Sequence, residues 1–318
     1  MQAEFENNAA FQSVLATLEV ERKKIASTKT KGYIFIGSGI AFGILGAVLG
    51  IPMPSILIGL GGVIYGGILL YRITEQSRAY AGAFKRDVIG SALKSLDQSL
   101  TIEPYSGIVD DEFVSSQLFT TNPDRYHTED LVSGQAGKTR FYFAEVHAEY
   151  KTEEQTKDGR RVNWHEIFKG IIFVADFNKN FNGVTVVRPK GITAAFGVWF
   201  SKNIFSFGDK DAILLENPEF NKTFVTYGND QVEARYILTP AMMDRIFSLN
   251  RKSASAISLS FINSRMYIAF PLQRNYFEAP VFKTLLNPAL LNEDISVIRF
   301  MYDIVNELDL NTRIWGKN

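Results

Sequence analysis

The chain has 318 residues, and its 34 basic and 34 acidic side chains give a formal net charge of zero. A neutral chain lacks the overall field that would attract nucleic acid or acidic substrates. The absence of cysteine excludes a disulfide scaffold, a thiolate metal site and a cysteine nucleophile. The charges are unevenly distributed, because residues 32–71 contain no Asp, Glu, Lys, Arg or His.

Residues 1–31 are predicted to form an amphipathic helix. Its apolar side chains recur at helical spacing on one stripe, with charged residues elsewhere: Phe11, Val14, Leu15, Leu18 and Ile25. A helix of this kind either lies on a membrane surface beside its basic residues or packs on a folded domain. The sequence leaves both placements open.

Residues 32–71 are predicted to form a transmembrane helical hairpin. A single helix of this length would measure about 60 Å, twice the thickness of the hydrocarbon layer, so the block must fold back. Pro52 and Pro54 supply the break, because proline removes an N–H donor and restricts φ. The remaining spans, residues 33–50 and 55–71, are near the lower length limit for crossing a bilayer.

Three other interpretations of this block are weaker. A buried hairpin in a soluble core is disfavoured because soluble helices rarely lack every charge over such a length. A cleaved signal peptide has one short apolar region near the N-terminus, whereas this block begins at residue 32 and contains two apolar stretches. A pore usually needs ionisable side chains at depth, and the block has none.

Basic residues predict the orientation of the hairpin. They flank it on both sides and are absent from the connecting turn: Arg22, Lys23, Lys24, Lys29 and Lys31 precede it, and Arg72, Arg78, Lys85 and Arg86 follow it. By the positive-inside rule, both flanks are cytoplasmic and the turn reaches the far side. The predicted protein therefore crosses the lipid bilayer twice and has both termini in the cytoplasm.

Glycines in the hairpin predict close helix packing, because small residues spaced four apart let two helix backbones approach. Three such pairs occur: Gly39 and Gly43, Gly46 and Gly50, and Gly62 and Gly66. Packing of the two helices within one chain is the preferred interpretation. Association into a homo-oligomer through these faces stays open.

Residues 72–103 are predicted to form a stalk helix that leads from the second span into the following domain. Apolar residues recur at steps of three and four, which is a helical period: Tyr80, Phe84, Val88, Ile89, Leu93, Leu96 and Leu100. Pro104 ends the stalk, because the residue before a proline is disfavoured in the helical conformation.

Residues 104–318 are predicted to form a mostly antiparallel cytosolic α+β domain. Alternating or apolar runs bounded by turn residues predict strands: 139–151, 167–177, 184–188, 224–227, 232–238, 256–262 and 266–271. Residues 157–160 are a hairpin turn signal. Thr239 and Pro240 predict the start of a helix over residues 241–249, and a last helix covers residues 293–308.

Glu145, His147 and Glu149 are the catalytic candidates, because alternate residues of a strand project from one face. A carboxylate–imidazole–carboxylate group can bind zinc or transfer a proton. The same alternation is also typical of a solvated strand face, and that interpretation is preferred. No metal site and no cofactor are predicted, because near matches to a phosphate-binding loop at residues 134–139 and a calcium loop at residues 176–180 lack required glycines.

Arg160, Arg161 and Trp164 are the candidate recognition residues. Arginine and tryptophan are enriched among the residues that dominate binding energies at protein interfaces. Two arginines at a hairpin turn are too few to indicate nucleic acid, so no nucleic-acid partner is predicted.

Several segments taken together resemble the bacterial domain of unknown function 3137 family: residues 116–119, 129–134, 168–177, 232–240 and 310–314. With the N-terminal hairpin, the similarity is expected to extend over nearly the whole chain. The resemblance implies a bacterial cytoplasmic (inner) membrane protein without an established activity, and it assigns no catalytic residue. It also implies a membrane protein partner of the LemA type.

The leading functional hypothesis is a membrane-anchored binding or scaffold protein, whose tether raises the local concentration of a cytosolic domain near membrane partners. A second hypothesis is a membrane-tethered enzyme that uses Glu145, His147 and Glu149. A third is an oligomeric membrane component that assembles through its glycine-rich helix faces.

Overall fold

The computed structural model describes residues 9–156, 159–177, 179–190, 212–253, 255–272, 274–308 and 310. The chain forms two compact units. The helical unit comprises Met1–Ser95 and Phe277–Glu293, and the sheet unit comprises Leu96–Tyr276 and Asp294–Asn318. The predicted α+β class with an antiparallel sheet is confirmed.

Two long apolar helices dominate the helical unit: α1 spans Ala9–Val48 and α2 spans Pro52–Arg72. The chain reverses at Gly50, whose φ of +76° is a left-handed conformation that glycine adopts readily. Pro52 begins α2, where its missing N–H has no helical partner to lose. The predicted break is therefore confirmed. Helix α1 runs without interruption from the predicted N-terminal helix into the predicted first span.

Glycines bring the backbones of α1 and α2 into contact. A Cβ on Gly39 would lie 2.5 Å from the carbonyl oxygen of Gly59, and a Cβ on Gly66 would lie 2.6 Å from that of Gly32. Both distances are too short for a side chain, so this helix separation requires glycine at both positions.

The six glycines singled out in the sequence have different surroundings. Gly39, Gly46, Gly62 and Gly66 face the other helix of the hairpin, with Ser55 against Gly46 and the carbonyl of Phe35 against Gly62. A Cβ on Gly43 would meet open space, and Gly50 forms the turn. Association into a homo-oligomer stays a prediction.

The outer surface of the hairpin is apolar. Most of the large hydrophobic side chains that are exposed in the described part of the chain lie between Tyr33 and Tyr71, and Ile44, Leu57 and Ile58 are each more than 60% exposed. Two helical stretches, residues 11–48 and 53–96, are long and apolar enough to cross a membrane. Soluble monomers rarely expose a contiguous apolar surface of this extent.

Three short helical segments follow the hairpin: α3 (Thr74–Ala83), a π-helical turn (Phe84–Ile89) and α4 (Gly90–Leu96). The predicted helix is confirmed for residues 74–96, and the π-helical turn is an addition to it. Its predicted end at Pro104 is wrong: the helix ends at Leu96, and residues 101–103 form a strand because they pair with residues 131–133. Tyr80, Phe84 and Val88 are buried, as expected of the apolar face.

Residues 277–287, which we call the return segment, belong to the helical unit. A buried ion pair on α1 holds them. Arg22 Nε and Nη2 donate to the two carboxylate oxygens of Glu19, both at 2.8 Å, and Arg22 Nη1 donates to the carbonyl oxygen of Val281 at 2.7 Å. Glu19 also accepts from the N–H of Leu285 at 3.0 Å and from the hydroxyl of Thr284 at 3.1 Å. The Arg22 guanidinium lowers the pKa of Glu19 to about 2, so this carboxylate is ionised at neutral pH.

Residues that follow the hairpin also hold the return segment. The hydroxyl of Tyr80 donates to the carbonyl oxygen of Pro280 at 2.7 Å, and Lys85 Nζ lies 3.1 Å from the carboxylate of Glu278. Burial raises the pKa of Tyr80, which keeps its hydroxyl protonated as a donor. Phe277 begins the segment with a φ of +59°, a conformation that costs a non-glycine residue about 1–3 kcal/mol.

The described part of the sheet unit contains one sheet of nine strands: β1 (Thr101–Glu103), β2 (Arg125–Ala136), β3 (Thr139–Thr156), β4 (Gly159–Asp176), β5 (Val184–Pro189), β6 (Ala212–Ile213), β7 (Phe224–Gly228), β8 (Ser258–Ile262) and β9 (Arg265–Pro271). Their order is β1-β2-β3-β4-β9-β8-β5-β7-β6, and every neighbouring pair is antiparallel. The strands predicted over residues 256–262 and 266–271 are confirmed as β8 and β9, which form a hairpin with Asn263 in the left-handed region. Residues 157–158 of the predicted turn and 311–314 of the closing segment lie outside the described residues.

In the part of this unit that the structure describes, five α-helices accompany the sheet: α5 (Asp110–Ser115), α6 (Pro218–Thr223), α7 (Gln231–Ile237), α8 (Pro240–Lys252) and α9 (Asn292–Glu307). The predictions for α8 and α9 are confirmed. Thr239 caps α8 as expected, because its hydroxyl accepts from the N–H of Met242 at 3.3 Å.

The strand predicted over residues 232–238 is wrong, because this segment forms helix α7. Asp230 decides the outcome, since its side chain accepts from the N–H groups of Val232 and Glu233, both at 2.9 Å, and caps a helix. Ala234 and Ile237 are buried at helical spacing, while Val232 is exposed.

Both faces of the sheet are covered near its centre. On one face, Ala144, Val146 and Ala148 of β3 belong to a buried cluster with Phe113 and Phe119. On the other face, apolar rings pack under α9, with Phe141 against Tyr302 and Phe270 against Phe300. The polar end of this second face carries the candidate functional residues.

Candidate functional site

Strands β3 and β4 continue beyond the sheet as a two-stranded arm. Among the described residues, 150–156 of β3 pair only with 159–165 of β4, because the pairing of β2 ends at Glu149 and that of β9 begins at Gly170. No further strand in the described part of the chain pairs with this arm, and an edge of this kind is more open to a partner than a strand inside the sheet.

The arm places the three candidate recognition residues on opposite faces. Arg160 and Trp164 share one face, because strand side chains alternate and the register between β3 and β4 is regular here. Arg161 projects from the other face. The structure therefore brings together two of the three residues, and it adds Val162, which is 43% exposed between them.

The face that carries Arg160, Val162 and Trp164, which we call the arm face, is rich in ionic contacts. The guanidinium of Arg125 lies 3.9 Å from the centre of the Trp164 ring, in a cation–π arrangement. Arg160 forms an ion pair with Glu153, and its guanidinium lowers the pKa of that carboxyl. Trp164 is nevertheless 41% exposed, so part of its ring is available for contact.

The three catalytic candidates project from the same sheet face but have separate partners. Glu145 is buried and accepts from the N–H of Tyr276. His147 Nε2 lies 3.3 Å from the carboxylate of Glu166. Glu149 accepts from Arg125 Nη1 at 2.9 Å. The arrangement is a series of separate hydrogen bonds and close polar contacts along the strand.

Glu145 and His147 line a small polar cleft that Glu149 does not reach. Its other polar walls come from neighbouring strands and the loop after β9: His127, Glu129, Lys169, Arg274 and Asn275. The cleft has a volume of about 20 Å³, and one water needs roughly 10–15 Å³. It is therefore large enough for a water or a small ion and too small for an organic substrate.

Sequence reasoning did not find His127, Glu129 and Lys169 as neighbours of the candidates. His127 stands opposite His147, Glu129 opposite Glu145, and Lys169 opposite His147 on the other side. The alternation of His127 and Glu129 resembles that of the candidates, but only the strand register brings the pairs together.

A second polar cluster was also not predicted. The carboxylate of Glu112 accepts from the hydroxyl of Tyr142, from Arg265 Nη1 at 2.7 Å and from the hydroxyl of Tyr267 at 3.3 Å. Burial raises the pKa values of both tyrosines, which keeps their hydroxyls protonated as donors. These bonds fix α5 against β3 and β9, which indicates a structural role.

The segments that carried the family resemblance also serve the fold. The carboxylate of Glu233 accepts from the N–H groups of Asn182 at 3.1 Å and Gly183 at 2.8 Å, which joins α7 to the loop before β5. Thr239 caps α8. Gly170 lies opposite Pro271 at the start of the β4–β9 pairing. The contacts of these three residues stabilise the fold and indicate no catalytic role.

The fold thus combines a hairpin of two long apolar helices with an antiparallel sheet unit that bears a projecting arm. Residues 166–310 match the model of a family described as "Protein of unknown function (DUF3137)". The predicted resemblance to this family is confirmed. The match begins within β4 and does not include the hairpin, whereas the similarity was expected to extend over nearly the whole chain.

Comparisons with other proteins add little to this result. No curated protein matches the chain. A solved structure, the crystal structure of the mycobacterial trehalose monomycolate transport factor A, TtfA, is 14% identical and has a TM-score of 0.35, with 70% of this chain and 94% of that chain covered. A likeness at this level carries no argument about function.

Proposed function

We propose that this chain is a membrane-anchored binding or scaffold protein. The hairpin crosses the cytoplasmic membrane of a bacterium twice, and both flanks remain in the cytoplasm. One observation carries the proposal: a charge-free hairpin exposes its apolar side chains all around, while its own glycines already satisfy the contact between the two helices. Such a surface is stable when lipid covers it.

Membrane crossing and orientation are tested together. Reporter fusions at residue 5 and at residue 318 are expected to be active only as cytoplasmic reporters, because Lys and Arg on both flanks of the hairpin favour the cytoplasmic side of the membrane. Alkaline carbonate is expected to leave the full-length protein in the membrane pellet. An exported reporter at residue 318, or release of the protein by carbonate, would contradict this part of the proposal.

We assign partner binding to the arm face. Its Trp164 and Arg160 are of residue types that are enriched among those that dominate interface energies, and the exposed Val162 between them adds apolar surface. The residues of the polar cleft are a weaker candidate for a reaction centre than the arm face is for a binding site, because the cleft has room for only about one water molecule. The partner that the family resemblance implies is a membrane protein of the LemA type.

The arm face is tested by crosslinked pull-down from membranes, followed by identification of the recovered proteins. Substituting Arg160→Ala together with Trp164→Ala is expected to lower recovery of the main partner about tenfold or more, because loss of a residue of this kind commonly costs about 2 kcal/mol. Arg161→Ala is the matched control, since it removes the same charge from the opposite face. Equal recovery with all variants would remove the arm face from the proposal.

A further inference from the structure

The sheet unit contains an apolar cavity that is separate from the polar cleft. It lies between the end of β9 and helix α9, and its apolar walls are Phe270, Pro271, Leu272, Val297, Phe300 and Met301. Its volume is about 210 Å³, whereas an engineered cavity of about 150 Å³ already binds benzene. The cavity is therefore large enough for a small apolar ligand.

The most buried walls of the cavity are apolar, and its exposed walls are polar. Phe270 and Met301 are 3% and 2% exposed, whereas Ser296 is exposed and the side chain of Lys252 is about half exposed. Among the residues that the structure describes, no Asp or Glu lines the cavity. Lys252 pairs with Glu307, which lies outside the lining.

This distribution restricts the class of ligand. The lining also contains Ser253, Ser255 and Tyr276. A sugar, a nucleotide or an ion could bond to these polar residues, but against Phe270, Phe300 and Met301 it would lose its hydration without gaining hydrogen bonds, which is unfavourable. A folded protein segment such as a helix is about 10 Å wide and does not fit within the volume. A flexible hydrocarbon chain fits, and Met301 can adapt its side chain to it.

We propose that this cavity binds the hydrocarbon tail of a single-chain amphiphile with an acidic head, such as a fatty acid or a lysophospholipid. The tail lies against Phe270, Phe300 and Met301, and the head lies at Lys252, where it replaces the carboxylate of Glu307. The choice of a lipid tail rests on the proposed membrane location, which places the protein where such molecules are concentrated.

The test uses full-length protein in phosphatidylcholine nanodiscs. Two photoreactive probes carry the same diazirine-labelled dodecyl tail, one as the free fatty acid and the other as lysophosphatidylglycerol, and the labelled peptides are mapped by mass spectrometry. Labelling within residues 270–276 and 296–301 is expected, and the more efficient probe identifies the source of the tail. Labelling confined to residues 33–71 would overturn the cavity proposal while supporting the membrane location.

Variants on α9 separate binding in the cavity from adsorption to the surface. Val297→Trp fills the cavity and is expected to lower labelling there about tenfold, equivalent to about 1.4 kcal/mol. Asn306→Trp adds the same ring to an exposed position of the same helix, outside the lining, and is expected to leave labelling unchanged. Val297→Met is a milder filling variant, with a smaller loss expected, for use if the tryptophan variant does not fold. Undiminished labelling in the folded filling variants would overturn the proposal.

Discussion

Glu19→Gln is expected to release the return segment from α1. The substitution removes the negative charge that pairs with the buried Arg22, and it weakens the acceptor for the N–H of Leu285. Removing one member of a buried ion pair commonly costs about 3 kcal/mol or more, because the remaining charge stays desolvated. Hydrogen–deuterium exchange of full-length protein in nanodiscs should therefore show faster exchange of the Leu285 amide and its neighbours in residues 277–287.

Glu21→Gln is the matched control for this experiment. It removes the same charge from the same helix, but Glu21 is exposed, so exchange in the return segment should remain as in the unmodified chain. Equal exchange in both variants would show that the Glu19–Arg22 pair does not hold the segment.

The Glu19–Arg22 ion pair also predicts that the attachment of the return segment to α1 depends on pH. Glu19 has a pKa of about 2 in the folded chain, below its ordinary value of 4.5, because Arg22 donates to its ionised form. Its contribution to stability is complete above about pH 4.5 and is lost as the pH falls toward about 2. Protection of the return segment, expressed relative to the intrinsic exchange rate at each pH, should therefore fall over this range in the unmodified chain and change less in Glu19→Gln.

Gly170→Ala is expected to disrupt the pairing of β4 with β9 at the centre of the sheet. Gly170 has a φ of +152°, and a Cβ there would clash with the carbonyl oxygen of Phe270 and lie 2.8 Å from the nitrogen of Leu272. Backbone strain and displacement of a fixed strand act together, so we expect a loss of about 3–5 kcal/mol. The thermal midpoint of the detergent-solubilised protein, followed by circular dichroism, measures the loss.

Gly159→Ala separates the cost of backbone strain from the cost of displacing β9. Gly159 lies in the same strand with a φ of +129°, but a Cβ there would meet no atom within 4 Å. Its substitution should therefore cost only the backbone strain, about 1–2 kcal/mol. A Gly170→Ala midpoint as high as that of Gly159→Ala would show that β9 moves aside without cost.

The helical unit shows which structural features local sequence patterns can predict and which they cannot. The uncharged block, the two prolines and the glycine spacing predicted two apolar helices and a reversal, because each of these signals lies within a few residues of the structure that it determines. The return segment could not be predicted. Residues 277–287 reach Glu19 from more than 250 positions away in the chain, and no local pattern encodes such a contact.

The candidate site was predictable only in part. Strand alternation placed Glu145, His147 and Glu149 on one face, but register decided that His127 and Lys169 stand beside His147. Alternation also separates Arg161 from Arg160 and Trp164, which proximity in sequence had grouped together.

The sequence by itself determined the apolar hairpin, the helical stretch after it, the antiparallel α+β class and most strands, because periodicity, turn residues and charge distribution act locally. Asp230 shows the limit of such patterns, since its capping side chain makes a helix of a segment that is apolar enough for a strand. Only the tertiary structure decided which side chains meet: the buried pair on α1 with the return segment, the composition of the arm face and the apolar cavity under α9. These features depend on strand register and on contacts between distant residues, which arise only when the whole chain is packed.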